Sequence, residues 1–406
     1  MATGIFNTNS FTQDLAAKSF AAMITRLMPN GNAPLFGMTS MLPTETALQV
    51  EHGFFTKTMI FPTFNLDAAV ANATDTVFTV ASTANLVPGQ IYQATTTLEN
   101  VLINAILSPN SIQVQRGVGN VAAAAVADNV DWYQVGTAFE ESSLRPGALS
   151  ITPVRITNLT QIFRNTWALS GSAQATQVIA GESTIAENRQ DCAAFHATDI
   201  ETGLIFGQKS QGTRNGQPFR TMDGLISITS NLTYYPPSYA AVNVTTAGAT
   251  TNFTQLEAAL DPVFNQATDP KVGNERILFV GGTARKVINN IGRLNSTYYI
   301  QNGETSYGLK FGSFNIARGS FRMIEHPLFN SNSTWSKMAL AVDLSTFRVA
   351  YLGGRKTQKA EFNVGGDTVD NGIDAVGGTL TSELTCIIKN PPANAQIKNL
   401  TAAAAG

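Results

Sequence analysis

The stretch IAENRQDCAAFHATDIETGLIFGQKS, starting at Ile185, constrains this chain more than any other, because it is a long helix set in a sequence otherwise dominated by strand and turn signals. Thr184 and Glu187 stand three apart and are expected to form a capping box at its start. Ala186, Ala193, Ala197, Ile200 and Leu204 fall on one predicted face, with Glu187, Arg189, Asp191 and Glu201 mostly elsewhere. At 1.5 Å per residue the helix is roughly 35 Å long, enough to be the spine of a domain.

The chain ahead of the helix is β-rich and interrupted. Residues 1–45 are polar and punctuated by Gly and Pro, with an amphipathic stretch at 15–28 carrying Leu15, Phe20, Met23, Ile24 and Leu27, and are expected to form a tethered arm. HGFFTKTMIFPTF (52–64) is extended. Residues 71–135 then follow a rhythm of their own: TVFTVA, a Pro88-Gly89 turn, QIYQA, NVLINAIL, a Ser108-Pro109-Asn110 turn, SIQVQRG and WYQVG. Short strands at this spacing predict a small barrel or sandwich. RITNLTQIFRNTWALSG (155–171) resumes the β-branched and aromatic pattern, so a β module is inserted between the two halves of a long β arm.

After the helix, RTMDGLISI is expected as a strand. Asn252 with Gln255 can start a helix using Leu256, Ala259 and Leu260, which Pro262 interrupts. ILFVGGTARKVINNIGRL (277–294) predicts a strand, a glycine turn, and a helix capped by Thr283 with Val287, Ile288 and Ile291 inward. FGSFNIA, SFRMIEH, MALAVDL and FRVAYL add strands and complete an α/β or α+β segment. LTSELTCIIK alternates, placing Leu380, Ser382, Leu384, Cys386 and Ile388 on one face of a strand expected to return to the spine helix, before Asn390-Pro391-Pro392 ends it.

Composition narrows the function classes. The 406 residues suggest two or three domains, and 43% hydrophobic residues with 23 Phe can fill sizeable cores. Only 13% are charged, about half the usual ~25%, so the surface must be covered by uncharged polar groups or by other copies of the chain. A net charge of −2 does not indicate a nucleic-acid binder relying on a basic surface, and Arg355, Lys356 and Lys359 are expected to lie in a solvated loop. There is no signal-peptide pattern, and no stretch of ~18 uninterrupted apolar residues, which argues against export and against membrane spanning. Cys192 and Cys386 make no disulfide framework, and Asn-x-Ser/Thr triplets such as those at Asn72, Asn158, Asn231, Asn243, Asn252 and Asn332 follow from an Asn- and Thr-rich chain.

No catalytic constellation stands out. The glycine pair at 281–282 lacks both the G-x-G-x-x-G spacing and a Walker lysine, so a tight turn fits it better than a phosphate cradle. Cys192 and His196 share a helix face but have no second ligand pair, so a buried Cys beside a partly buried His is expected, with no metal and no cofactor. Glu140 and Glu141 near Arg145 are adjacent in an extended segment and point to opposite faces, which suits ion pairing, within the chain or with another subunit, better than a glycosidase pair. No G-x-S-x-G elbow occurs, and the chain is expected not to be an enzyme.

The order of pieces resembles the major capsid proteins of tailed bacteriophages, of the Hong Kong ninety-seven type shared with encapsulin shells, and within them a subgroup with a small β-barrel inserted in the extended loop. The stretches that carry the resemblance are VPGQIYQ, SIQVQRGVGN, GTAFEESSLRP, TNLTQIFRNTWALSGSAQA, ETGLIFGQKS, RTMDGLISI, ERILFVGGTARKVIN, SYGLKFGSFNIARGSFRMIEHPLF, DLSTFRVAYL and GTLTSELTCIIKNPPANAQI, in that order over about residues 45–398. It implies an α+β fold with an N-terminal arm (1–45), extended-loop arms (46–70 and 136–175), an inserted barrel (71–135), a peripheral domain holding the spine helix and return strand (176–225 and 365–400), and an axial domain (226–364).

The resemblance further implies assembly into hexamers and pentamers of an icosahedral head, with a portal protein at one vertex, a separate scaffold or none, with or without a decoration protein, and double-stranded DNA enclosed without sequence-specific binding. The location would be the virion, and the host cytoplasm before assembly. A chain starting at Met1 leads to the expectation that no N-terminal scaffolding segment is cleaved. Glu140, Glu141 and Arg145 near the base of the arm, and Arg164 on its descending strand, are the expected interface residues. A β-rich phage fibre or surface adhesin is the alternative, although it does not account for the spine helix followed by the α/β segment.

Overall fold

The computed structural model describes residues 33–57, 61–176, 184–236, 239, 241–265, 274–294, 301–306, 309–362 and 374–404. The expected amphipathic stretch at 15–28 and Ile60 lie outside them. The chain divides into two compact units, residues 55–154 and the remainder.

Within 55–154, six strands pair in the order Thr63–Asn65, Asp131–Thr137, Gln90–Ala94, Asn100–Ser108, Ser111–Gln115, Val77–Thr79. The two outer strands are joined in turn. Leu66 bridges Val80, Asp67 N–H donates to Thr79 O at 2.9 Å, and Ala81 N–H donates to Asn65 O at 3.0 Å. The sheet thus closes into a barrel without an open edge. Its interior holds Phe64, Phe78, Tyr92, Ile103, Ile112 and Trp132 among others, with Phe64 stacked on Trp132 at 5.6 Å. The barrel includes 63–65, so it begins ahead of the expected 71.

The larger unit is built on the helix Thr184–Phe206. Thr184 is its first residue and not the one preceding it, and the helix stops four residues short of Ser210. Its buried face differs from the expected one. Cys192, His196, Ile200 and Leu204 recur at i+4 and are buried with Glu201 and Ile205, whereas Ala186 and Ala193 are exposed and Ala197 is half-buried. The larger side chains fill the space over the sheet, and Gly203 lets the Phe163 ring approach where a Cβ would stand 2.7 Å away.

That sheet runs Glu45–Ala47, Phe347–Leu352, Ala375–Ile388, Gln161–Ser170, with Gln358–Phe362 also paired to Ala375–Ile388. FRVAYL therefore leaves the α/β segment to which its position assigned it, because Phe347 and Val349 enter the core beneath the spine helix. Ala375–Ile388 is paired along both edges and buried on both faces from Ser382 to Ile388, so the clean alternation of LTSELTCIIK does not mark a solvent face.

RTMDGLISI is a strand only to Thr221, and LISITS is the helix Leu225–Ser230. The chain turns because the Asp223 carboxylate accepts Lys209 N–H at 2.8 Å and the hydroxyls of Ser227 and Tyr234. Gly224 lies against the spine helix's end, where a Cβ would be 2.8 Å from Gly203 O. An unforeseen hairpin precedes it: Ser210–Arg214 pairs with Gln217–Thr221 across Asn215-Gly216, at φ 53 and 73.

A seven-stranded mixed sheet completes the unit, in the order Val244–Thr246, Ala395–Lys398, Ala339–Val342, Glu275–Val280, Gly319–Glu325, Leu309–Ile316, Gln301–Ser306. Ile277 and Phe279 face the spine core, while Leu278 and Val280 face the helices Phe253–Leu260 and Gly282–Leu294. Burial on both sides explains the unbroken apolar run. The Asn252–Gln255 capping box is present, and the helix gives way to a 3-10 turn, Asp261–Phe264, containing Pro262.

Candidate assembly surface

Several paired carboxylates are interior, at positions that no local sequence pattern marks. Glu201 was expected away from the packed face but is fully buried. It accepts the backbone N–H groups of Leu35 at 2.8 Å and Phe36 at 2.6 Å, and His326 Nε2 lies 2.6 Å away. Glu383 sits between Arg220 at 3.3 Å and Arg355 at 3.0 Å and accepts the Thr160 hydroxyl. In the barrel, Glu99 takes a two-pronged contact from Arg116, at 3.0 and 2.6 Å. Their partners lie far along the chain, out of reach of any local pattern, except that Arg116 follows Glu99 within the same barrel.

The candidate catalytic groups are occupied structurally. Cys192 and His196 are both buried. His196 Nδ1 lies 2.7 Å from Asn165 Oδ1 and Nε2 lies 2.8 Å from Ser382 Oγ, which is satisfied by a neutral ring donating through Nδ1 and accepting through Nε2. Burial holds its pKa below the ordinary histidine value, against the opposing pull of Asp199. Burial likewise pushes the Cys386 thiol up to about 12. Among the described residues no group of three His, Cys, Asp or Glu could hold a metal.

At the glycine pair the helix entrance is filled by the protein itself. Gly282 N–H donates to Asn330 Oδ1 at 2.7 Å, and a Cβ on Gly281 would stand 2.4 Å from Ser336 O. Thr283 is inside the helix, not its cap, and its hydroxyl meets Ser336 Oγ at 3.0 Å. The glycines serve close packing.

Residues 137–150 form the unusual region, for every one of them is exposed. Ala138 N–H donates to Gly89 O at 2.8 Å and Ser143 N–H to Glu140 O at 3.2 Å; from 144 to 153 no hydrogen bond is made among the described residues. Leu144 is 92% exposed, and Phe139 and Leu149 are each 47% exposed. Phe139 rests on Gly89, whose φ of +91 and missing Cβ admit the ring. Beside it a recess of about 440 Å³ is lined by Pro88, Leu102, Asn104, Phe139 and Arg145.

Glu140, Glu141 and Arg145 lie together on this segment, all exposed, and no salt bridge joins them among the described residues, so the ion pair within the chain is not formed. Arg164 is elsewhere. It stands on Gln161–Ser170 opposite Thr381, in the sheet under the spine helix and not on the two-stranded arm formed by Glu51–Thr56 and Val154–Leu159.

A family model described as SU10 major capsid protein matches residues 3–401. The chain belongs to the SU10 major capsid protein family. It is 37% identical over 406 residues to the major capsid protein of Pseudomonas phage PaMx41, covering 98% of this chain and 96% of that one. Among solved structures, the capsid of a native GTA particle overlaps 98% of the capsid protein and 100% of its own chain at 8% identity and a TM-score of 0.46. A Mycobacterium phage Bobi chain overlaps 97% and 99% at 9% identity and a TM-score of 0.44. Overlaps this loose add nothing further. As a phage major capsid protein, the chain is one of many copies that associate into a shell.

Proposed function

We propose that the chain forms the shell of an icosahedral tailed-phage head, as hexamers and pentamers around double-stranded DNA, without catalysing a reaction. The observation that carries this reading is residues 138–153: a run with exposed Leu144, Leu149 and Phe139 and ten residues without internal hydrogen bonds suits a surface that a neighbouring copy covers. Residues 1–45 act as an N-terminal arm, 46–70 and 136–175 as the arms of an extended loop, 71–135 as an inserted barrel, 176–225 and 365–400 as a peripheral domain, and 226–364 as an axial domain. Glu140, Glu141 and Arg145 are the charges that meet a neighbour, and Arg164 is exposed for a contact of its own. The protein is made in the host cytoplasm, meets a portal protein at one vertex, assembles with a separate scaffold or with none, with or without a decoration protein, and holds DNA without sequence-specific contacts.

The test is expression of the chain followed by negative-stain electron microscopy and sedimentation velocity. Closed shells, or rings of five and six, are the expected result. Stable monomers or trimers across salt and concentration, unchanged by added scaffold, would overturn it in favour of a fibre or adhesin.

A further inference from the structure

The seven-stranded sheet ends at Val244–Thr246, which among the described residues pairs on one side only, in parallel, with Ala395–Lys398. Asn243 O accepts Gln396 N–H at 2.9 Å and Ala247 N–H donates to Lys398 O at 2.8 Å. The odd-numbered residues thus bond inward; Val244 N–H is taken by Val242 O at 2.9 Å, which leaves the Val244 carbonyl and the N–H and C=O of Thr246 turned to the open edge. Alongside runs a cleft of about 330 Å³, between this strand and the helix Phe253–Leu260, floored by Leu256, Ala259 and Ile397. Its lining carries no charge. Thr251 Oγ1, on a residue only 4% exposed, lines the cleft and has no hydrogen-bond partner among the described residues.

Elsewhere on the molecule is a segment with the converse deficiencies. Residues 147–152, GALSIT, are uncharged, and their backbone makes no hydrogen bond among the described residues. Leu149 and Ile151 are two apart, hence on one face of an extended strand. We infer that residues 147–152 of one copy add as an outer strand beside Val244–Thr246 of a neighbouring copy, with Leu149 and Ile151 over the cleft. Open backbone groups on both sides are satisfied by the addition, and the uncharged cleft receives an uncharged peptide, so no ion is desolvated. The inference rests on the shell-forming role proposed above and names the surface that receives the segment.

The test co-expresses two single variants, Leu149→Cys and Thr246→Cys, so that a disulfide between them must join different chains. The native thiols of Cys192 and Cys386 are buried and do not compete. Oxidised particles are expected to give at least tenfold more chain-to-chain product on a non-reducing gel than either variant alone. Particles that form with less than a twofold excess would overturn the docking while leaving the shell role standing. If the unsubstituted chain forms no particles, the shell role fails and the docking with it. Ala258→Trp gives a second readout, since Ala258 is an exposed residue lining the cleft. Particle yield is expected to fall about tenfold with an unchanged circular dichroism spectrum, and a normal yield would count against the docking.

Discussion

The barrel and the segment that leaves it are consecutive in sequence, yet one is finished and the other is not. Between 63 and 137 the strands close on themselves and surround a dry core ending in Trp132. From 138 to 153 the chain forms neither helix nor strand, only a turn at 141–142, and Phe139, Leu144 and Leu149 face outward. Closure, not hydrophobicity, separates them: a strand whose edges are all paired needs no neighbour, whereas an unpaired segment with bare amides does. The difference is sharpest where a single substitution should damage one and spare the other.

The largest expected effect is in the barrel. Arg116→Met would leave the fully buried Glu99 without its cation, although Gly117 N–H and Ala124 N–H still reach it at 3.2 and 3.4 Å. Breaking a buried pair on one side costs about 3–5 kcal/mol. Hydrogen exchange should show the amides of 63–137 opening in concert while those of the spine helix stay protected. Equal protection in both variants would mean that the pair contributes little to barrel stability.

Next in size is the join between the two regions. Gly89 occupies φ +91, and a Cβ there would stand 2.2 Å from the Phe139 ring. Gly89→Ala should cost about 1–3 kcal/mol of local strain and free the Ala138 amide that now bonds to Gly89 O. Loss of exchange protection at Ala138, with the strand pairs of the barrel retained, is the expected pattern. Unchanged protection would show that the ring moves aside freely.

How much of this was legible from residues follows the same division. The barrel strands could be read because each turn is local, at Pro88-Gly89 and at Ser108-Pro109-Asn110. The helix Gly282–Leu294 could be read because its buried residues repeat at helical spacing. The face of the spine helix could not, because what covers Glu201 comes from Leu35, Phe36 and His326, more than a hundred residues away. LISITS was misassigned because a six-residue run of Leu, Ile, Ser and Thr has strand composition, whereas the helix is marked only by Leu225 and Ile228 three apart and by the Asp223 turn before them. Asn215-Gly216 was a readable hairpin signal hidden by extending the helix to Ser210. At the assembly surface, the positions of Glu140, Glu141 and Arg145 together could be foreseen, but the full exposure of their segment could not, because a run such as FEESSLRPGAL gives no sign of whether it folds back.

Acid should separate the two compact units more weakly. All three histidines, His52, His196 and His326, lie outside 55–154. His196 has its pKa depressed below 6.5 by burial, so the unfolded chain binds the proton more readily. Its contribution is fully present above pH 6.5 and is lost as pH falls below that value, by at most about 1.4 kcal/mol per pH unit. Lowering pH from 7.5 to 5.5 should loosen the strands around Ser382 and Asn165 and leave barrel exchange unchanged. His196→Gln should flatten that dependence; an unaltered profile in the variant would assign it to another group.

The smallest effect on folding is expected in the unfinished segment. Leu144 is almost wholly exposed, and Arg145 forms no salt bridge among the described residues. Leu144→Asp and Arg145→Glu should each change unfolding stability by less than about 0.5 kcal/mol, as surface substitutions do. If neighbouring copies complete this surface, the same two changes should reduce particle yield severely, Leu144→Asp by placing a charge in an apolar contact and Arg145→Glu by reversing the sign next to Glu140 and Glu141. Denaturant titration alongside particle counting separates the two quantities. Normal particles from both variants would locate the assembly contact elsewhere, and a large loss of stability would mean that the segment supports its own chain after all.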